Sequence, residues 1–228
     1  TKIMQITGRG ELEILLEYGY DDVVCEYFTD EVLELASAEK PYFATLLTLS
    51  SHEPFDVPYS AFENKILNAA AFTDECVGKM IERWKQSPAW EDMLVVLADH
   101  GIAYPEGLQT GELPRQRIPM LWTGGAIKQG GMVIDNFSSQ ADLAATLLKQ
   151  MGIATDGFKF SKDIFNPAIP HYGFWTFNNG FGVISQEGYV RYDCTNNTII
   201  ESDGDKVEQF TLDGKAIIQT MHKDLLAR

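Results

Sequence analysis

Asp99 and His100 stand side by side, and Gly101 follows them. A carboxylate oxygen and an imidazole nitrogen presented together suit a divalent metal such as Mn or Zn. Neither residue type belongs in a core without polar partners. In mid-strand the two side chains would point to opposite faces. At a strand's carboxyl end, where Gly101 lets the chain turn, both can lean toward one point. The dipeptide alone also reads as an Asp capping a loop beside a surface His. A second histidine, His52, lies in Ser-Ser-His-Glu-Pro-Phe at residues 50–55. Its plain alternative is a loop histidine bonded to local backbone.

What precedes each histidine decides between these readings. Residues 94–98, Leu-Val-Val-Leu-Ala, are an apolar run of the kind buried on both faces of a parallel sheet. Residues 42–49 are a second strand-like run. In open α/β sheets, ligands bind at the carboxyl edge. Two strands with a helix between them imply a right-handed parallel crossover, placing His52 and the Asp99-His100 pair on one edge. Two such coincidences favour a site.

Residues 41–55, the Leu-Ala-Asp-His-Gly block at 97–101 and Arg-Ile-Pro-Met-Leu-Trp at 117–122 resemble the lipoteichoic acid synthase branch of the sulfatase family, within the alkaline phosphatase superfamily. The resemblance runs from about residue 18 to the C-terminus. It implies an α/β fold with a mostly parallel sheet flanked by helices. It implies Asp99 and His100 as metal ligands, with Mn as the first choice and Zn, Mg or Ca as others. It gives His52 a contact to the transferring phosphoryl group or its leaving oxygen. Arg117 precedes Ile-Pro as in many relatives and is the second substrate-side residue; a solvated Arg is its alternative. The family's Thr nucleophile and a Glu ligand lie upstream of these blocks, and neither Thr1 nor Thr7 sits in a matching context. The expected catalytic nucleophile is therefore absent from the chain.

The implied activity is that of the C-terminal portion of a metal-dependent phosphoglycerol transferase. Sulfate-ester or phosphodiester hydrolysis is the alternative, and a non-catalytic module that kept the fold is another. The expected partner is a phosphoglycerol lipid or another phosphate or sulfate ester. The implied location is outside the cytoplasm, with a parent protein anchored in the membrane through a region upstream.

Composition sets outer limits. The chain has 228 residues, 45% hydrophobic and 22% charged, ordinary values for a globular protein. Its net charge of −15 argues against nucleic acid and against an anionic membrane surface. Cys25, Cys76 and Cys194 form no Cys-x-x-Cys pair, so no thiolate metal site is indicated. Cys76 is expected in the core. The sequence holds no signal peptide and no run of eighteen apolar residues, so the chain is expected to be soluble. It begins without Met, which suits a fragment or a processed piece.

The remaining elements are read by period. A short helix is expected over residues 11–18 and a brief strand over 21–24. A helix capped by Thr29 runs to about Ala38. A long helix fills 60–86, with Phe62, Ile66, Ala69, Ala70, Val77, Met80, Ile81 and Trp84 as its apolar stripe. Residues 101–117 lack a period and read as a lid or substrate loop. Ser139 and Asp142 resemble a capping box for a helix ending near Met151. Residues 1–168 are expected to form part of a sulfatase-like α/β domain. Residues 169–228 are expected to form an antiparallel meander with a terminal helix over 214–227, docked through Ile217, Ile218, Met221 and Leu225.

Overall fold

A computed structural model describes residues 2–6, 12–16, 19–38, 40–105 and 107–228. The chain divides into two compact units. The first takes in Thr1–Val96 and Leu121–Gly130, the second Leu97–Met120 and Gly131–Arg228.

In the first unit, β1 (Lys2–Ile6) pairs antiparallel with β2 (Leu12–Leu16) on one side and with β3 (Phe43–Leu47) on the other. Residues 12–16 are therefore strand, not the expected helix. Five residues of Leu-Glu-Ile-Leu-Leu fit either period, and pairing to β1 decides in favour of strand. The helix α1 (Asp21–Ser37) absorbs the strand expected at 21–24. Val24, Phe28 and Val32 recur every four residues and are buried, so helical packing overrides the local β-preference of Val23-Val24. Thr29 is not a cap. It lies buried inside α1, with its hydroxyl donating to the Cys25 carbonyl at 2.6 Å.

The long helix α2 (Lys65–Lys85) starts five residues later than its apolar stripe suggests. Asn64 caps it, its side-chain oxygen accepting from Ile66 N at 2.8 Å and Leu67 N at 3.3 Å. Phe62 stays outside the helix and is half exposed. The buried stripe is Ala69, Phe72, Cys76, Met80 and Trp84. It meets Val24, Phe28 and Val32 of α1, with the Phe28 and Trp84 ring centroids 6.1 Å apart. Cys76 is in this core as expected, and so is Cys25. Burial, with the nearby Asp21 carboxylate adding to it, pushes the Cys25 thiol up to about 12 and the Cys76 thiol up to about 11. Ala44 and Leu46 of β3 pack on the same core while Phe43 and Leu47 are exposed, so β3 is covered on one face.

β4 (Leu94–Leu97) pairs with β5 (Met120–Thr123) in a two-stranded sheet. β3 and β4 lie in different sheets, so the crossover expected between them is not among the described pairings.

The second unit holds α3 (Leu113–Gln116), α4 (Asp142–Gln150) and the meander β6 (Tyr172–Phe177), β7 (Gly180–Ser185), β8 (Gly188–Asp193) and β9 (Thr198–Gly204), followed by α5 (Val207–Leu226). The four strands pair in sequence order, each antiparallel to the next. Two-residue turns join β6 to β7 and β7 to β8. The α/β class and the C-terminal order, meander then helix, are those expected. α5 starts earlier than expected, and the part of the expected face that docks is its N-terminal stretch, which includes Ile218. Val207, Phe210 and Ile218 pack against Phe181, Val183, Val190 and Tyr192. A Cβ on the buried Gly214 would fall inside the Phe181 ring, so a residue without a side chain sets the approach of helix to sheet. Leu225, expected in the docked face, is 69% exposed.

Candidate metal and phosphoryl site

The strand β4 delivers Asp99 and His100 to a turn. Gly101 next to them is required by its surroundings, because a Cβ there would overlap the Arg115 carbonyl. The Arg115 guanidinium closes the same contact, its Nε donating to the Gly101 carbonyl at 3.4 Å and its Nη1 to the Thr110 hydroxyl at 3.3 Å. His100 Nε2 lies 3.7 Å from Asp99 Oδ2, and the two side chains are 57% and 65% exposed. Asp99 Oδ1 accepts from the His100 backbone N–H at 2.9 Å.

His100 Nδ1 lies 3.0 Å from the Gly101 carbonyl oxygen. A carbonyl only accepts, so Nδ1 is the donor in this contact. A metal-binding histidine commonly has its other ring N–H held by a carbonyl in this way. The donor chemistry thus fits a divalent metal with two protein ligands. Among the described residues, no group of three or more His, Cys, Asp and Glu side chains could hold a metal ion.

His52 shows the same local device in the first unit. Its Nδ1 lies 3.1 Å from the Glu53 carbonyl oxygen, which accepts from it. The loop is a tight one: His52 N donates to the Leu49 carbonyl at 3.0 Å, and Phe55 N to the His52 carbonyl at 2.9 Å. Phe55 follows a cis Glu53-Pro54 bond at φ 61°. Arg117 sits at the end of α3, exposed.

Sequence reasoning missed the residues that hold these groups. Gln140, just before α4, donates its amide to the Ala98 carbonyl at 3.1 Å and the Asp99 carbonyl at 3.3 Å. Ser139 beside it is only half of a capping box. Its backbone N–H donates to Asp142 Oδ2 at 2.8 Å, but its hydroxyl is engaged by β6, accepting from Phe174 N at 2.7 Å and donating to Phe174 O at 3.1 Å. The expected lid is also held: Trp175 Nε1 donates to the Gly111 carbonyl at 3.1 Å. A Ser followed by Gln before a helix carries no signal for partners some forty residues away.

A profile of the sulfatase family matches residues 3–153, which include the Asp99-His100 turn and the His52 loop. The chain belongs to the sulfatase family. Its relatives include a phosphoglycerol transferase I of Xanthomonas campestris, 26% identical over 151 residues, which cover 61% of this chain and 22% of that protein. A lipoteichoic acid synthase of Staphylococcus saprophyticus is 26% identical over 203 residues, 75% of this chain and 30% of the relative. This sulfatase-family chain therefore spans less than a third of the length of these relatives. A crystal structure of an alkaline phosphatase superfamily protein from Vibrio parahaemolyticus superposes with a TM-score of 0.67 at 22% identity, over 82% of this chain and 50% of that one. That likeness shows a shared fold.

Proposed function

We propose that this chain carries the metal-binding and phosphoryl-binding part of a phosphoglycerol transferase working outside the cytoplasm. The observation that carries the reading is the 3.7 Å approach of His100 Nε2 to Asp99 Oδ2, with His100 Nδ1 held 3.0 Å from the Gly101 carbonyl oxygen. Relatives named phosphoglycerol transferase and lipoteichoic acid synthase support the substrate class, a phosphate ester of glycerol. No described helix is long and apolar enough to cross a membrane.

In this reading Asp99 and His100 would hold the divalent ion, with Mn the first choice. Such an ion, when bound, neutralises phosphoryl oxygens and lowers the pKa of an attacking hydroxyl. The chain's own residues do the rest. Gln140 and Arg115 keep the turn at the end of β4 in place. His52 presents Nε2 to the transferring group. In that place it would hydrogen-bond a phosphoryl oxygen or the leaving oxygen. Arg117, exposed at the end of α3, would offer its charge to an anionic substrate group. None of the matched blocks supplies the nucleophile, and the proposal assigns that role to no residue here.

The test is binding, since it needs no nucleophile. Glycerol phosphate is titrated into the chain in the presence of Mn, with glycerol sulfate in parallel. The reading expects the phosphate ester to bind more tightly and His52→Ala to weaken it by about tenfold, the scale of one lost charge-assisted bond. An affinity that His52→Ala leaves unchanged contradicts the role given to His52. Preference for the sulfate ester would turn the reading toward a sulfate-ester hydrolase.

A further inference from the structure

The first turn of α1 holds a carboxylate that the proposed chemistry does not use. Asp21 is fully buried. Its Oδ1 accepts from the backbone N–H of Leu49 at 3.0 Å and of Ser50 at 3.1 Å. Its Oδ2 accepts from the Thr73 hydroxyl of α2 at 2.6 Å. Its own backbone N–H donates to the Ser50 hydroxyl at 2.9 Å. Two helices and one loop meet on a single side chain.

The loop so held is the one that carries His52. Leu49, whose N–H Asp21 fixes, gives its carbonyl to His52 N. The His52 carbonyl in turn receives Phe55 N. The chain of bonds runs from a buried carboxylate, through Leu49, to the backbone of the histidine. We infer that Asp21 is a positioning residue for His52, holding the loop after β3 so that the imidazole presents Nε2 at a fixed place. This rests on the reading of His52 as a phosphoryl contact. A merely structural carboxylate at a helix start would cap its own helix, and Asp21 spends its oxygens on the loop and on α2 instead.

The proposal separates three substitutions. Asp21→Ala removes every side-chain acceptor at this position and takes from the Leu49 and Ser50 N–H groups the oxygen they donate to. Asp21→Asn keeps an oxygen for the Leu49 and Ser50 amides, while the Thr73 hydroxyl can rotate to accept from the new NH2. Thr73→Val removes one donor and keeps the packing.

The full chain is examined by NMR, reading hydrogen exchange at Leu49 and Ser50 and the imidazole signals of His52. Glycerol phosphate affinity in the presence of Mn is measured alongside. Asp21→Ala should speed exchange of the two amides by about tenfold or more, the factor for a lost buried hydrogen bond. It should also shift the His52 ring signals and weaken glycerol phosphate. Asp21→Asn should restore the ring signals and the affinity to those of the parent chain.

A folded Asp21→Ala chain with His52 signals and amide exchange unchanged overturns the proposal. Asn failing to restore what Ala lost also overturns it. Should Asp21→Ala not fold, Thr73→Val decides: faster exchange at Leu49 and Ser50 supports the anchor, and unchanged exchange contradicts it. The reading of His52 itself fails separately, through His52→Ala with unchanged affinity, and that result leaves the exchange data standing.

Discussion

Gly101 and Arg115 touch twice: the glycine has no room for a Cβ against the Arg115 carbonyl, and the Arg115 side chain returns to donate to the Gly101 carbonyl. The turn that carries Asp99 and His100 is thereby clamped to α3. The clamp is backbone on one side, which cannot swing away as a flexible side chain would. Gly101→Ala should cost about 1–3 kcal/mol, the usual penalty of forcing atoms into a filled space. Chemical denaturation measures it. A neutral Gly101→Ala would show that the turn is not packed as described.

The terminal helix gives a contrast within one element. Gly214 faces the Phe181 ring and Ile218 packs on the meander, whereas Leu225 is exposed. Gly214→Ala and Ile218→Asp should each lower stability, by about 1–3 kcal/mol. Leu225→Asp should stay within about 0.5 kcal/mol of the parent. Thermal melts of the three variants check the docked face. An equal loss from Leu225→Asp would mean that the helix docks further along its length.

Asp142 is almost wholly buried and is held by Lys162, whose ammonium lies 2.7 Å from Oδ2 and 4.0 Å from the centre of the Tyr172 ring. Lys162→Met leaves that carboxylate with only its backbone donors, Ser139 and Lys162 N–H. Breaking a buried pair from one side costs about 3 kcal/mol or more. Urea denaturation should show that loss, and a variant as stable as the parent would rule it out.

The thiols set an alkaline limit. Cys25 and Cys76 are held neutral in the fold, raised from 9.0 to about 12 and about 11, chiefly by burial. A raised folded value means that the native state keeps protons that the unfolded chain loses. The contribution is complete below pH 9 and falls as pH rises toward 11 and 12. Stability followed by denaturant midpoint should therefore decline through that window, and Cys25→Ala should flatten the decline. At pH 8 a thiol reagent should modify Cys194, the exposed one, and spare the other two. Rapid loss of all three thiols in the native protein would contradict their burial.

How much of this could be read beforehand depends on the reach of each interaction. The meander was legible because alternation and Asn-rich turns are local, and Asn179 indeed takes φ 60°. The strand end that precedes Asp99 and His100 was legible because an apolar run stops there. Residues 12–16 and 21–24 were misread because five or four residues fit two periods, and pairing to β1 or packing of Val24 and Phe28 made the choice. Asp21 and Gln140 were not legible as supports. Their partners, Leu49 and Ala98, lie 28 and 42 residues away along the chain. The docked stretch of α5 was placed too near the C-terminus: Val207, Phe210 and Gly214 extend the Ile218 stripe toward the helix start, and hydrophobic periodicity gives a glycine no weight.

Turnover offers a further check. With Mn present, the chain should not turn over an aryl phosphate, an aryl sulfate or a phosphoglycerol lipid steadily, since no matched block supplies a nucleophile. Steady multiple turnover that Asp99→Asn abolishes would place a nucleophile within these 228 residues.

The most direct measurement is Mn binding to the chain, followed by electron paramagnetic resonance of the free ion, with Asp99→Asn, His100→Ala and Gln140→Ala beside the parent. Two protein ligands should give weak binding, short of the three that complete sites use. Asp99→Asn and His100→Ala should each abolish it, and Gln140→Ala should weaken it by loosening the turn. Mn binding that survives both ligand substitutions would contradict the account, because the ion would then sit somewhere other than Asp99 and His100.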